Sequence, residues 1–328
     1  MDVKKDKKVV VLATGGTIAG VAEDISKPNN YVSGQIAVKE LTRDLDTRGV
    51  HLIQEQVCNI DSKDMQFSHW QGLLGRCHFW LGQPDVVGVI VTHGTDTLEE
   101  TAYFLQAVLS PTKPVALTCA MFPANVPESD GPQNLQDALD WVLNSKEAGV
   151  HLVCADDVHF GMGVQKIFSD RSKAFTSRDK LFADSENTPS MNFHDWLIPS
   201  IEKVLALDAK HWPKVDLIFN HSGADGQLVR ALIKANALAK TETLASVSAP
   251  PLVEGIVVAG TGSGTLSREL ELALVEAQKA GLWVARTSRC AFGVADPEKH
   301  PNIHALHNLS PVQGRVAMIL GLLARRAG

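Results

Sequence analysis

The chain has few cysteines and fewer tyrosines. Its 328 residues include five cysteines and two tyrosines, and aromatic residues make up only 6%. The cysteines (Cys58, Cys77, Cys119, Cys154 and Cys290) are odd in number, widely scattered and never spaced C-x-x-C. That spacing argues against a disulfide framework and fits a reducing compartment. Long apolar runs are also missing: nothing approaches the ~20 residues that a membrane-spanning helix requires. The apolar run 9–13 is only strand-length and enters a glycine turn, unlike the core of a secretory signal. A cytoplasmic location is expected, or a periplasmic one if an export signal has been removed. Basic runs are scarce as well. One short cluster, Lys4 to Lys8, lies at the start, and the net charge is -6. Neither nucleic acid nor a membrane is therefore an expected partner.

What is abundant is ordinary core material, with 45% of residues hydrophobic. Short apolar runs at 9–13, 86–92, 115–119, 150–155, 215–220, 255–259 and 282–287 read as strands. Segments of helical period fall at 34–47, 97–109, 132–144, 227–239, 267–280 and 311–326. Continuous apolar strands between amphipathic helices predict an α/β fold with mainly parallel sheets covered on both faces. Ligands in such sheets collect beyond the carboxyl ends of the strands. The polar stretch Ser185-Glu186-Asn187-Thr188-Pro189 and the Trp212-Pro213 restart divide the chain. The expected organisation is an N-terminal domain at 1–188, a linker at 189–212 and a C-terminal domain at 213–328.

Two strand ends stand out. The first strand runs into Thr14-Gly15-Gly16-Thr17-Ile18-Ala19-Gly20, and the run 86–92 ends in Thr92-His93-Gly94-Thr95-Asp96-Thr97. Both read T-x-G-T. The first segment alone is equally compatible with a plain structural turn, and its glycine spacing matches neither dinucleotide-binding nor P-loop patterns. The second leads straight into a helix, where Asp96 and Glu99 read as a capping arrangement. Free N–H groups at such a helix start also suit a developing oxyanion. A threonine hydroxyl needs a base before it can attack. Tyr31 lies in the polar loop 23–33 between Gly20 and Gly34, which reads as a lid with glycine hinges. Tyr103 falls in an apolar helical stripe and reads as core. His93 reads as orienting its turn. His300, His304 and His307 have helical spacing, but Pro301 interrupts it and no ligand set joins them, so no metal is expected.

These residues carry a resemblance. The segment 14–20 and His93-Gly94-Thr95-Asp96-Thr97-Leu98-Glu99-Glu100-Thr101-Ala102 are similar to the two signature segments of bacterial-type L-asparaginases. The similarity continues through Gln56-Val57-Cys58-Asn59-Ile60-Asp61-Ser62, Ala120-Met121, Asp130-Gly131-Pro132, Ala174-Phe175 and Ser288-Arg289. It implies hydrolysis of L-asparagine to L-aspartate and ammonia through a covalent acyl-enzyme, without a cofactor. By this resemblance Thr17 is the nucleophile and Tyr31 the lid tyrosine that assists proton transfer. Thr95, Lys166 and Asp96 match the second triad, with Lys166 as base, although Met162 stands where the family usually has arginine. Ser62 matches the residue that binds the substrate carboxylate, Lys63 follows it, and Asp96 is suited to the ammonium. The Ala120 carbonyl matches the acceptor for the leaving amide.

The resemblance also implies that the C-terminal domain completes a neighbouring subunit's site, in a homotetramer built from intimate dimers. Ser263 stands where many relatives have asparagine, and Glu298 is matched to a glutamate near the substrate ammonium. Those two positions leave L-glutamine open as a second substrate. A dual glutaminase-asparaginase, the amidase subunit of a tRNA-dependent amidotransferase and a non-catalytic amino-acid sensor are the competing readings.

Overall fold

A computed structural model describes residues 7–27, 30–178, 196–241 and 251–326. The polar break at 185–189 and the start of the expected linker lie outside the described residues. The chain divides into two compact units, Met1–Asn187 and Thr188–Gly328.

The strands of the first unit are β1 (Lys8–Gly15), β2 (Val21–Ala22), β3 (Tyr31–Val32), β4 (His51–Ile60), β5 (Val86–Thr92), β6 (Pro114–Thr118), β7 (Gly149–Cys154), β8 (Asp157–Phe160), β9 (Val164–Lys166) and β10 (Phe175–Ser177). Its helices are α1 (Val38–Leu41), α2 (Phe67–Leu81), α3 (Leu98–Leu109) and α4 (Gly131–Asn144). Six strands form one sheet in the order β4-β1-β5-β6-β7-β8. Every pairing in it is parallel except that of β7 with β8. β1 and β5 are central and buried along most of their length, as continuous apolar strands must be when both faces are covered. On one face, Val9, Val11 and Ala13 pack with Leu135, Ala138, Leu139 and Val142 of α4. The two T-x-G-T segments therefore leave the same end of neighbouring parallel strands, with Ala13 opposite Thr92.

Several elements differ from the sequence reading. The helix expected over 34–47 shrinks to α1, which ends at Thr42, whose hydroxyl donates to the Val38 carbonyl (2.8 Å). α2 and β4 were not expected. α2 carries Gly72, Gly75 and several weak helix formers, yet Trp70, Leu73, Leu74 and Cys77 recur at helical spacing and are buried. β4 is an edge strand with no fully buried position, so it lacks the apolar run that marks the others.

The second unit holds β11 (Val215–Phe219), β12 (Gly255–Gly260), β13 (Trp283–Ser288) and β14 (His304–Ala305), all parallel and in that order. Its helices are α5 (Ile201–Ala206), α6 (Gln227–Thr241), α7 (Arg268–Lys279) and α8 (Pro311–Arg325). The described part of the expected linker, 196–212, packs as part of this unit. Trp196 lies 5.5 Å from Trp283 between ring centroids, Lys203 Nζ donates to the Ala324 carbonyl (3.0 Å), and Trp212 is buried. Apolar side chains supply this packing as well, with Val204 fully buried and Ala209 also buried.

Cys77, Cys119 and Cys154 are buried thiols, and Cys290 is exposed. Among the described residues no helix is long and apolar enough to cross a membrane.

Candidate functional site

The first turn owes its shape to backbone that only glycine adopts freely. Gly16 has a φ of 80°, and a Cβ there would lie 2.4 Å from both Cα and N of Gly94. A Cβ on Gly94 would in turn lie 2.6 Å from Ser62 Oγ. The two turns thus meet backbone to backbone, and the Ser62 side chain packs against Gly94. Thr14 adds a strap by donating to the Thr92 carbonyl across the strands (2.9 Å).

Thr17 begins a single 3-10 turn and is 5% exposed. Its Oγ1 lies 2.6 Å from the Tyr31 hydroxyl. Tyr31 is delivered by the small β2–β3 hairpin, in which Ala22 pairs with Tyr31. Asn125 clamps that hairpin: its side chain accepts from Ala22 N and donates to Ala22 O, both at 2.8 Å.

Thr95, 7% exposed, follows β5. Lys166 Nζ donates to Thr95 Oγ1 at 2.8 Å and to Asp96 Oδ1 at 2.7 Å. Lys166 ends β9, which β10 fixes by antiparallel pairing of Lys166 with Phe175. Met162, in place of the family's usual arginine, is buried. The capping arrangement expected of Asp96 and Glu99 does not form: Thr97 is the N-cap and no side chain caps the helix. Asp96 instead turns its carboxylate toward Lys166, and the Thr97 hydroxyl donates to the Ser62 carbonyl (2.8 Å).

Ser62 Oγ accepts from Asp96 N at 3.1 Å, which ties the Ser62 segment to the second turn. Lys63 is exposed and pairs with Asp61 at 2.5 Å. That hydrogen bond raises the Lys63 ammonium above its ordinary value. Burial opposes charge on Asp61, but hydrogen bonds from the Lys63 side chain and backbone hold its carboxyl below the usual range. Ala120 packs with Ile18 and Ala19 of the first turn. The loop after it is held by Asp130, whose carboxylate accepts from Met121 N and Phe122 N at 3.0 Å each.

Behind the second turn runs a buried relay that the sequence did not reveal. Trp70 Nε1 donates to Thr101 Oγ1 (2.9 Å), which lies 3.0 Å from His93 Nε2. His93 Nδ1 lies 2.6 Å from the Gly94 carbonyl. A carbonyl only accepts, so Nδ1 carries the proton and Nε2 accepts from Thr101. Burial pushes the imidazole down to about 4. A neutral ring with both nitrogens occupied positions Gly94 and has no free site for a base.

Ser263 and Glu298 belong to the second unit. Ser263 lies in the loop after β12, where Thr261 and Thr265 bridge each other. Ser263 Oγ accepts from Lys299 Nζ at 3.1 Å, and its carbonyl accepts from Asp296 N at 3.0 Å. Glu298 is exposed, and its N–H donates to Asp296 Oδ1 (3.0 Å). The charged side chain on Ser263 is thus Lys299, which the sequence reading did not single out. Fully buried Arg286 pins the same region by donating to the carbonyls of Gly264, Asp296 and Ile303. The three histidines all have local work. His300 accepts from Leu266 N and faces Glu271, His304 packs on Trp196, and His307 meets the Ala295 carbonyl.

Comparison with known proteins adds to this geometry. Residues 8–194 match the family described as Asparaginase, N-terminal, and residues 214–326 match the Glutaminase/Asparaginase C-terminal domain. L-asparaginase 2 of Escherichia coli (strain K12) is 31% identical over 96% of this chain and 88% of its own length. L-asparaginase 2 of Bacillus subtilis (strain 168) is 30% identical over 97% of this chain and 84% of its own length. Among solved structures, that of a probable cytoplasmic L-asparaginase from Campylobacter jejuni superimposes with a TM-score of 0.79 at 28% identity. It covers 96% of this chain and 95% of that one.

Proposed function

The chain belongs to the asparaginase/glutaminase family, and on that premise we propose that it hydrolyses L-asparagine to L-aspartate and ammonia with Thr17 as nucleophile. The supporting observation is the meeting of the two turns at Gly16 and Gly94, which gives two threonine hydroxyls, each with its own proton partner. Thr17 Oγ1 attacks the side-chain amide carbon. Its proton passes to the Tyr31 oxygen as Tyr31 gives its own proton toward the leaving nitrogen, so the tyrosine ends unchanged. Ammonia departs and leaves an aspartyl ester on Thr17. Water then attacks the ester, losing its proton through Thr95 to Lys166; the ester C–O bond breaks, L-aspartate leaves, and a proton returns to Thr17 Oγ1 so that Lys166 ends neutral again. A lysine serves this way only while neutral, a state that desolvation and neighbouring cations favour.

In this reading Asp96 holds the substrate ammonium and Ser62 its carboxylate, with Lys63 beside them and the Ala120 carbonyl receiving the leaving amide. Removing the charge of Asp96 leaves the ammonium unpaired, at a cost of ~2–5 kcal/mol in a desolvated site. No metal or cofactor is invoked. The enzyme works in the cytoplasm as a homotetramer of intimate dimers, and Ser263 and Glu298 reach the site of a neighbouring subunit. Sedimentation of a tetramer supports this assembly, and a fully active monomer contradicts it.

The proposal is tested by mixing the protein with L-asparagine and assaying ammonia. Release that vanishes in Thr17→Ala supports it, and no release at millimolar substrate refutes it. A second reading, dual action on glutamine, is favoured by the match of residues 214–326 to the Glutaminase/Asparaginase C-terminal domain, with Ser263 standing where many relatives have asparagine. An extra methylene in a simple pocket is worth only ~1–3 kcal/mol. Comparing kcat/KM for the two amides side by side decides between them.

A further inference from the structure

We infer that Asn125 is a positioning residue for Tyr31: its side-chain amide stands in for a third strand of the β2–β3 hairpin and, through Ala22, holds the Tyr31 hydroxyl at Thr17. This inference rests on the reading of Tyr31 as the proton partner of Thr17. A closed pair of hydrogen bonds carries it. Asn125 Oδ1 accepts from Ala22 N, and Asn125 Nδ2 donates to Ala22 O, both at 2.8 Å. In an antiparallel ladder the N–H and C=O of one residue point to the same side. Those of Ala22 point to Asn125, and so away from Tyr31, the residue opposite it in β3. Ala22 and Tyr31 therefore form a non-hydrogen-bonded pair, and the amide takes the place of a neighbouring strand's backbone on the outer side of β2. Each strand of this hairpin has only two residues, and an isolated two-stranded hairpin is marginal in water.

The residue before Asn125 strengthens the attachment. Ala124 N donates to the Gly20 carbonyl (2.9 Å), so 124–125 bonds along the chain between Thr17 and β2. The Tyr31 ring lies over the same stretch: a Cβ on Gly20 would sit 2.9 Å from Tyr31 Cδ2. The loop that holds this backbone begins at Ala120 and is itself anchored by Asp130 through Met121 N and Phe122 N. In the proposed reaction Tyr31 gives a proton toward the leaving nitrogen, and the Ala120 carbonyl receives the leaving amide. Asn125 ties both to one loop, which keeps the two groups that handle the leaving nitrogen in a fixed relation. The far side of the hairpin has its own anchors. Ser33 Oγ donates to Asp61 Oδ2 and Gly34 N to Gly16 O, each at 3.2 Å. Loss of the amide should therefore loosen Tyr31 without releasing the hairpin. Asn125 itself is exposed, so truncating it opens no cavity in the core.

Asn125→Ala should lower kcat for L-asparagine roughly 10- to 100-fold, the loss that a displacement of about 1 Å near reacting groups produces. KM and the melting temperature should stay close to wild type. A merely structural clamp would act whether or not the tyrosine hydroxyl is present, so a double-mutant cycle separates the two roles. In Tyr31→Phe, where that hydroxyl is already gone, adding Asn125→Ala should lower kcat no further. An equal fold loss in both backgrounds, or a wild-type kcat in Asn125→Ala, overturns the inference. If Tyr31→Phe keeps wild-type turnover, the reading of Tyr31 as proton partner fails, and the role of Asn125 fails with it. If Tyr31→Phe is slow while Asn125→Ala is fast or its loss multiplies with that of Tyr31→Phe, only the inference about Asn125 fails.

Discussion

Thr17 and Thr95 leave neighbouring strands at the same end of one sheet, yet different structures stand behind them. Thr17 meets Tyr31, which arrives on a hairpin of two-residue strands tied down by Asn125. Thr95 meets Lys166, which is fixed by a ribbon. The Thr95 turn is braced by Ser62 and by the buried Trp70–Thr101–His93 relay. The first turn offers a hydroxyl whose partner hangs on a light support. The second is an electrostatic station backed by the core, with Asp96 itself half exposed. Changes around Tyr31 should therefore alter rate more than stability, and changes behind Thr95 should alter both.

The strongest way to break this comparison is at the hydroxyls. Thr17→Ala should lower kcat by roughly 10⁴-fold or more, as loss of a covalent nucleophile does, with circular dichroism unchanged. Thr95→Val should come close to it; a variant with near wild-type turnover would remove the second station from the chemistry. Next come the proton partners. Lys166→Met and Tyr31→Phe should each lower kcat by ~10²–10⁴-fold. Tyr31→Phe should leave the melting temperature in place, and a large drop there would contradict the light support of the first turn.

Thr101→Val should cost ~1–3 kcal/mol in urea unfolding, because it strands the Trp70 N–H and His93 Nε2 in the core. The smallest effect is in pH. The His93 imidazole is depressed from 6.5 to about 4, so between those values the unfolded chain binds the proton and the folded one does not. The contribution of His93 is full above 6.5, declines as pH falls toward 4, and is lost below it. The thermal midpoint should decline through that window, less steeply in His93→Gln.

Much of the site was legible because its parts are local in sequence. Both T-x-G-T segments are contiguous, and each follows an apolar run that ends where the strand ends. Lys166 was found only through the register of the similar segments around Ala174-Phe175, since a lysine in a loop has no pattern of its own. The supports were not legible. Trp70 with Thr101, Asn125 with Ala22, and Ser62 with Asp96 are partners 31 to 103 positions apart, and no periodicity links such pairs. Asp96 and Glu99 misled for the opposite reason: their spacing suits a local cap, but a long-range cation claims the first, and Thr97 stands as the N-cap with no side chain capping the helix. In the second unit, Ser263 was singled out only through the resemblance, at the position where many relatives have asparagine. Lys299, 36 positions away, became visible only in three dimensions.

The central claim, that Thr17 carries the acyl group and Thr95 with Lys166 helps to remove it, is tested most directly by trapping. Thr95→Val is mixed with L-asparagine, quenched in acid and analysed by peptide mass spectrometry. The account predicts the mass of an aspartyl ester on the peptide containing Thr17. An ester on another residue, or ammonia release from this variant at the wild-type rate with no adduct, would contradict it.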